Sequence, residues 1–323
     1  YGIDTYKEPE LGKPPVWLEE IPKVSYKSRV TSDFFRGMAG DAVKKSKFAE
    51  NLEELKKQIL GYEYAEKEVI PCYLELMPFR DEVLLFVKST EYVQEGYKQI
   101  AKFLEELMYE IRRQQTNYAN LKVTFVHECF IYVVAYYLKK CANEALRYVL
   151  NKTYFAGTSP FNQDADSYNC FYCYNDVLDS AVCKRDNKNY YCGTAALWIE
   201  NLNVEVCNKD EFVSGDLFCH SASLLISNYE KDWAWFPLTY VYNNDEYRGL
   251  FATYSKRLVS KEHLEEMMFV LSFESIDEFK KQYKIVEEKF QKGDLKEYRY
   301  NSCFETAKSF WNYMKAEELG TRN

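Results

Sequence analysis

The fold is decided by the most apolar stretch of the chain, residues 121–138, which reads LKVTFVHECFIYVVAYYL. Residues 130–138 are apolar almost all round, which is typical of a helix that lies centrally among other helices. A membrane-spanning helix needs about 20 mainly apolar residues, whereas this stretch carries Lys122, His127 and Glu128. We therefore expect a buried helix and no membrane span.

Long helical patterns surround this stretch. Apolar residues recur at helical spacing over 41–60 and over 79–111, and the central pattern extends over 118–150. Consecutive long helices joined by short links form antiparallel bundles. The sequence therefore predicts a mainly α protein with an antiparallel helical bundle over residues 27–155.

The last third of the chain, residues 223–323, carries a different pattern. Residues 238–242 and 249–254 are β-prone runs on either side of an Asn-Asn-Asp sequence, which predicts a small β-hairpin. Ser275 and Glu278 have the spacing of a helical capping box. We expect the hairpin and a C-terminal helical segment to pack on the bundle, with helices over 261–273, 275–291 and 294–319.

An extended N-terminal arm is predicted over residues 1–26. Half of the eight prolines of the chain lie there, and each proline favours extended backbone at the residue before it. The arm carries an apolar cluster, and two interpretations of it remain open: it packs on its own domain, or it contacts a neighbouring subunit. The candidate contact residues are Val16, Trp17, Leu18 and Ile21.

Ten cysteines are present, and six of them fall between Cys170 and Cys219. Such a density is typical of a segment held by disulfides, so we expect a disulfide-rich irregular insertion over 156–222. The spacing C-x2-C-x9-C-x8-C also fits structural zinc or a redox dithiol, but a second C-x2-C pair and a βαβ context are missing. The disulfide candidates are Cys72, Cys129, Cys141, Cys170, Cys173, Cys183, Cys192, Cys207, Cys219 and Cys303.

Cysteine pairing predicts an oxidising compartment, either extracellular or the lumen of the secretory pathway. Asn151-Lys152-Thr153 is a glycosylation sequon, which makes Asn151 a glycosylation candidate. The formal net charge is −8, and no run of positive residues occurs. Nucleic-acid partners are therefore not expected.

The residues of familiar catalytic sites are scarce. Only three histidines occur, His127, His220 and His263. His127-Glu128 begins like a zinc-protease motif, but residue 131 is Ile where the second histidine is required. Glycine-rich phosphate loops and the esterase elbow are also missing from the sequence. The sequence predicts no catalytic residue, no cofactor and no metal site.

The leading hypothesis is a secreted or luminal, disulfide-stabilised structural protein that self-associates into a larger complex or filament. Tyrosines of the polar segment around Tyr168, Tyr172 and Tyr174 add aromatic area of the kind enriched in protein interfaces. One alternative is an extracellular binding module, an adhesin or receptor-facing domain, that presents the Cys170–Cys219 loop to a protein or glycan. A second alternative is an enzyme with an unrecognised site.

Overall fold

The computed structural model describes residues 32–38, 40–114, 119–156, 166–189, 192–226, 234–242, 249–292 and 307–322. The described chain is mostly helical. Its first seven α-helices are α1 (Ser32–Gly37), α2 (Asp41–Gly61), α3 (Val69–Leu74), α4 (Met77–Ser89), α5 (Gly96–Arg113), α6 (Ala119–Lys139) and α7 (Asn143–Asn151). The remaining ones are α8 (Asp176–Asp186), α9 (Gly193–Glu200), α10 (Lys209–Ile226), α11 (Leu250–Arg257), α12 (Lys261–Leu271) and α13 (Ile276–Lys292).

Helix α6 lies at the centre of the protein. Every residue from Leu121 to Leu138 is buried, as the sequence predicts, against α4, α5, α7 and α10. By length and composition α6 could cross a membrane, and its whole apolar window is enclosed by the rest of the described chain. A core helix of this kind meets the same criteria, so the composition of α6 does not by itself indicate a membrane.

The closest helix pair is α6 with α10. A Cβ atom added to Gly215 would lie 2.7 Å from the Cβ of Ala135 and 2.9 Å from its Cα. The two helices therefore meet backbone to backbone, which only a glycine on one side permits. This contact joins the N-terminal helices to the segment that the sequence presented as irregular.

Both long helical patterns are interrupted. The pattern over 79–111 is divided between α4 and α5, and Glu95 adopts a left-handed φ of 57° directly before α5 begins. The pattern over 118–150 is divided between α6 and α7 at Cys141, whose φ is 51°. The amide of Cys141 donates to Leu138 and that of Ala142 to Tyr137, the two bonds of a Schellman C-cap.

The predicted disulfide-rich irregular insertion is wrong. The described part of 156–222 contains α8, α9 and most of α10, and no two Sγ atoms are paired. Nine cysteines are free, while Cys303 lies outside the described residues. Six of the nine are buried in the core, where a thiol packs like a small apolar side chain.

The predicted β-hairpin is also wrong, because the described residues contain no strand there. Tyr240–Tyr242 forms a short 3-10 turn, and the second run begins α11. Side chains of α10 explain both outcomes. Asp216 accepts the backbone N–H of Thr239 at 2.9 Å, and Asp210 accepts that of Leu250 at 2.8 Å. These contacts override the β propensity of the two runs.

The predictions for the C-terminal helices differ in outcome. Helices α12 and α13 lie where they were expected, and the Ser275 hydroxyl accepts the Glu278 N–H at 3.1 Å. The helix predicted over 294–319 does not form in its described part, 307–319, which contains only 3-10 turns at Phe310–Asn312 and Ala316–Glu318. The predicted arm, 1–26, lies outside the described residues, with Val16, Trp17, Leu18 and Ile21.

Candidate functional sites

His127 is enclosed by aromatic rings in the core. Its Nδ1 lies 3.0 Å from the carbonyl oxygen of Cys173. The rings of Tyr172 and Trp198 have centroids 5.2 Å from the imidazole, and that of Trp235 lies at 4.7 Å. Burial lowers the pKa of His127 to about 3, so the ring is neutral. Nε2 has no hydrogen-bond partner in the described residues, and no second titratable side chain reaches it as a base would require.

Glu128, the neighbour of His127, belongs to a buried network that the sequence did not reveal. Its carboxylate accepts hydrogen bonds from the Tyr73 hydroxyl at 2.6 Å and from Arg80 at 2.9 Å. The indole N–H of Trp198 donates to the same tyrosine hydroxyl at 2.8 Å. The network joins α3, α4, α6 and α9. A single acidic residue within an apolar helix was its only signal in the sequence.

His220 is likewise buried. Its Nδ1 lies 2.7 Å from the carbonyl of Trp235, and burial lowers its pKa to about 4. Asp216, one helical turn earlier, accepts the indole N–H of Trp235 at 2.7 Å, and burial raises its pKa to about 6. Burial also raises the pKa of the Cys219 thiol well above its ordinary value. His220 and Asp216 hold residues 235–239 against α10.

The two cysteines of the C-x-x-C sequence, Cys170 and Cys173, make local hydrogen-bond contacts and no disulfide. The Sγ of Cys173 lies 3.8 Å from the Thr124 hydroxyl, and the carbonyl of Cys170 accepts a 2.7 Å bond from Arg112. The Sγ of Cys192 accepts the Ala195 N–H at 3.4 Å and caps α9. In the described ranges no three His, Cys, Asp or Glu side chains are placed to share a metal ion. The structure therefore brings together no zinc site at these thiols.

Asn151 is exposed at the end of α7. Its side-chain nitrogen donates to the carbonyls of Arg147 and Val270, both at 2.8 Å, and so ties α7 to α12. A glycan attached to this nitrogen would replace one of its two hydrogens.

An open groove of about 670 Å³ runs between α5 and α7. Its apolar lining comes from Tyr109, Tyr148 and Phe155, and the side chain of Phe155 is 55 % exposed. Glu105 fixes this edge of the groove, because it accepts the backbone N–H of Phe155 at 2.7 Å and the Lys152 ammonium at 2.5 Å. We call this surface the α5–α7 groove. The sequence analysis did not find it, since its residues are dispersed over two helices.

A smaller pocket of about 320 Å³ opens where α4, α5, α6 and α7 meet. The edge-to-face contact of Tyr97 with Tyr148, with centroids 5.5 Å apart, lies between this pocket and the α5–α7 groove.

Comparison of the chain with protein-family models, curated proteins and solved structures found no match. Function is therefore argued from these surfaces.

Proposed function

We propose that this protein is a structural protein that self-associates, with the α5–α7 groove as the docking surface and residues 1–26 of a neighbouring copy as its occupant. The observation that carries the proposal is the exposed ring of Phe155, on a backbone that Glu105 holds. His127, His220 and Cys219 support a role outside catalysis, because each lies in the core and serves local packing.

The groove has the physical character of an interface. The ring of Phe155 offers a large apolar contact area, and its backbone is already held by Glu105. Little conformational entropy is lost when a side chain on a fixed backbone is covered by a partner. Aromatic residues in such positions contribute most of the binding free energy of many interfaces.

The arm matches the groove in composition. Its apolar residues Val16, Trp17 and Leu18 are followed directly by Glu19 and Glu20. The groove combines its aromatic lining with the side chain of Lys102, which is 64 % exposed and forms an ion pair with Glu106 at 3.5 Å. At about 3.3–3.6 Å per residue, 26 extended residues reach up to about 90 Å, which is far enough to contact a second copy.

Sedimentation velocity over a range of protein concentrations tests the proposal. The full chain is expected to associate, and removal of residues 1–26 is expected to leave a folded monomer. Phe155→Ser is expected to weaken association by about ten- to hundredfold, the equivalent of burying one phenylalanine ring. A full chain that stays monomeric at every concentration that its solubility permits would overturn the proposal.

Val177→Ser is the matched control, because Val177 on α8 is 56 % exposed and lies outside the groove. This variant is expected to associate like the unmodified chain. Val177 and the neighbouring Tyr174, which is 40 % exposed, form an exposed apolar surface. This surface suits the second candidate function, a module that binds a protein or glycan. Loss of binding to a protein or glycan in Val177→Ser, with Phe155→Ser unaffected, would favour a binding module over self-assembly.

The extracellular or luminal location is a separate proposal, and the Asn151 sequon is what supports it. Expression through a eukaryotic secretory pathway is expected to give a glycosylated chain whose mass falls on treatment with an N-glycosidase. Asn151→Gln provides the control, because it removes the acceptor nitrogen. A chain that is secreted without any glycan would remove this support.

A further inference from the structure

The glycosylation sequon lies at the edge of the α5–α7 groove. Asn151 is the last residue of α7, and Tyr148 of the same helix and Lys152 directly after it line the groove. At 3.6 residues per turn, Asn151 and Tyr148 are about 60° apart around the helix axis. A group attached to Asn151 therefore stands beside the wall of the groove that Tyr148 forms.

The segment after α7 presents the sequon and Phe155 on one exposed side. The chain leaves the helix with extended backbone. Thr153 and Phe155 are exposed. Tyr154 and Ala156, which alternate with them, are buried, as in an extended chain with one face on the core. At about 3.3–3.6 Å per residue, at most about 14 Å of chain separates Asn151 from Phe155.

The folded chain uses both hydrogens of the Asn151 side-chain nitrogen, Nδ2. One is donated to the carbonyl of Arg147 and the other to that of Val270, each at 2.8 Å. Val270 belongs to α12, which is synthesised after α7. At least one hydrogen therefore has no partner until α12 packs, and the nitrogen is open to modification while the chain is being made.

N-glycosylation transfers an oligosaccharide from a polyprenyl diphosphate to this nitrogen. A bond forms between Nδ2 of Asn151 and the anomeric carbon, and the bond from that carbon to the diphosphate oxygen breaks. The diphosphate leaves with the bonding electrons, and Nδ2 gives one proton to a base. One N–H remains on Nδ2, so one of the two hydrogen bonds, to Arg147 or to Val270, is kept in the glycosylated chain.

We propose that an N-linked glycan at Asn151 keeps the protein monomeric by shielding the α5–α7 groove, so that this modification controls self-association. The inference rests on the proposed function, in which residues 1–26 of a neighbouring copy enter the groove. An N-linked glycan is bulky and hydrated, and it occupies the solvent beside Phe155 through which the arm approaches. Docking of the arm would confine the glycan, at a cost in conformational entropy.

Thr153→Ala removes the glycan and keeps its acceptor residue. The substitution destroys the sequon, and the Asn151 bonds to Arg147 and Val270 do not involve Thr153. Both chains are secreted from the same eukaryotic cells and compared by sedimentation velocity. We expect the unmodified chain to carry a glycan and to associate at least about tenfold more weakly than Thr153→Ala.

A relocated glycan is the matched control. Asn189→Thr completes a sequon at Asn187, which is exposed at the end of α8 and does not line the groove. In the Thr153→Ala background this second glycan should leave association unchanged. Equal weakening by the relocated glycan would show that any glycan opposes association, and would overturn the proposed control through the groove.

The same measurements separate the glycan from the groove itself. If Thr153→Ala associates and the glycosylated chain associates as strongly, or if the secreted chain carries no glycan, control by Asn151 is refuted while self-association stands. If Thr153→Ala stays monomeric at every concentration that its solubility permits, self-association is refuted and control by the glycan falls with it.

Discussion

At the scale of single residues, the most consequential interaction is the buried ion pair of Arg80 with Glu128. The two side chains are 4 % and 0 % exposed, and their closest atoms are 2.9 Å apart. A buried charge that loses its partner is far less stable than one that keeps it, whereas the intact pair stabilises the fold little. The network therefore specifies how α4 and α6 pack more than it adds to stability.

Arg80→Met is expected to lower the free energy of unfolding by about 3–5 kcal/mol, because Glu128 loses its ion-pair partner in the core, where burial already raises the pKa of its carboxyl. The double variant Arg80→Met/Glu128→Gln should recover about 1–3 kcal/mol of that loss. Urea unfolding at neutral pH measures both. A double variant no more stable than the single one would contradict this account.

Because the pKa of His127 differs between the folded and unfolded chain, the free energy of unfolding depends on pH. Its pKa is lowered to about 3 in the fold, against 6.5 for the free side chain. Between these values only the unfolded chain binds the proton, so the stability that a neutral His127 provides is complete above pH 6.5 and falls as the pH falls. Asp216, with a pKa raised to about 6, opposes this trend between pH 6 and about 4.

His127→Asn tests this dependence, since an amide can replace Nδ1 as a hydrogen-bond partner and does not titrate. The variant is expected to be less stable at pH 7. Its deficit should shrink by up to about 1.4 kcal/mol for each pH unit below 6. Urea unfolding between pH 7 and 4 measures the difference, and a deficit that stays constant with pH would show that His127 has the same pKa in the folded and the unfolded chain.

At the scale of helices, the contact of α6 with α10 depends on Gly215. Gly215→Ala places a methyl group 2.7 Å from the Ala135 Cβ, so the helices must separate. We expect a loss of about 1–3 kcal/mol in the free energy of unfolding. Gly61→Ala is the control, because nothing lies within 4 Å of its added Cβ. A gain in both variants would indicate that helix propensity, and not packing, decides the outcome.

At the turn between α6 and α7 we expect a substitution to stabilise the protein. Cys141 is exposed and adopts the left-handed conformation that favours glycine. Cys141→Gly is expected to raise the free energy of unfolding by about 0.5–1 kcal/mol, since relief of backbone strain exceeds the added entropy of the unfolded chain. Cys141→Ala should bring no gain. Thermal unfolding of the three proteins distinguishes strain from loss of the thiol.

The same turn explains why helices were predictable and their limits were not. The apolar spacing of α2, α12 and α13 is visible in sequence because each has one buried face. Cys141 ends a long pattern without glycine or proline, and at Glu95 the neighbouring glycine, Gly96, is itself the first residue of α5. The local sequence therefore does not show where either pattern breaks. The β-prone runs failed for another reason, since the carboxylates that hold them belong to α10.

At the scale of the whole molecule, the cysteine count was misleading because spacing does not distinguish a cross-linked loop from a core that contains thiols. Cys170, Cys192 and Cys219 are buried among aromatic and aliphatic side chains. The candidate surfaces were missed for a related reason. A groove or pocket formed by several helices becomes visible only when their packing is known.

A reducing agent is therefore expected to leave the melting temperature unchanged. Loss of a native disulfide typically removes about 2–5 kcal/mol, whereas free thiols lose nothing on reduction. Calorimetric scans with and without a reductant make the comparison. A clear drop in the reduced sample would show that cysteines pair after all, with Cys303 as one possible partner.

The dependence of α6 on α10 has a consequence for synthesis. Roughly 90 residues separate the end of one helix from the end of the other, which corresponds to several seconds on a ribosome that adds about 5–20 residues per second. For that interval the most apolar segment of the nascent chain lacks its principal cover. Newly made protein is thus expected to require a chaperone, and fragments that stop at residue 155 should aggregate.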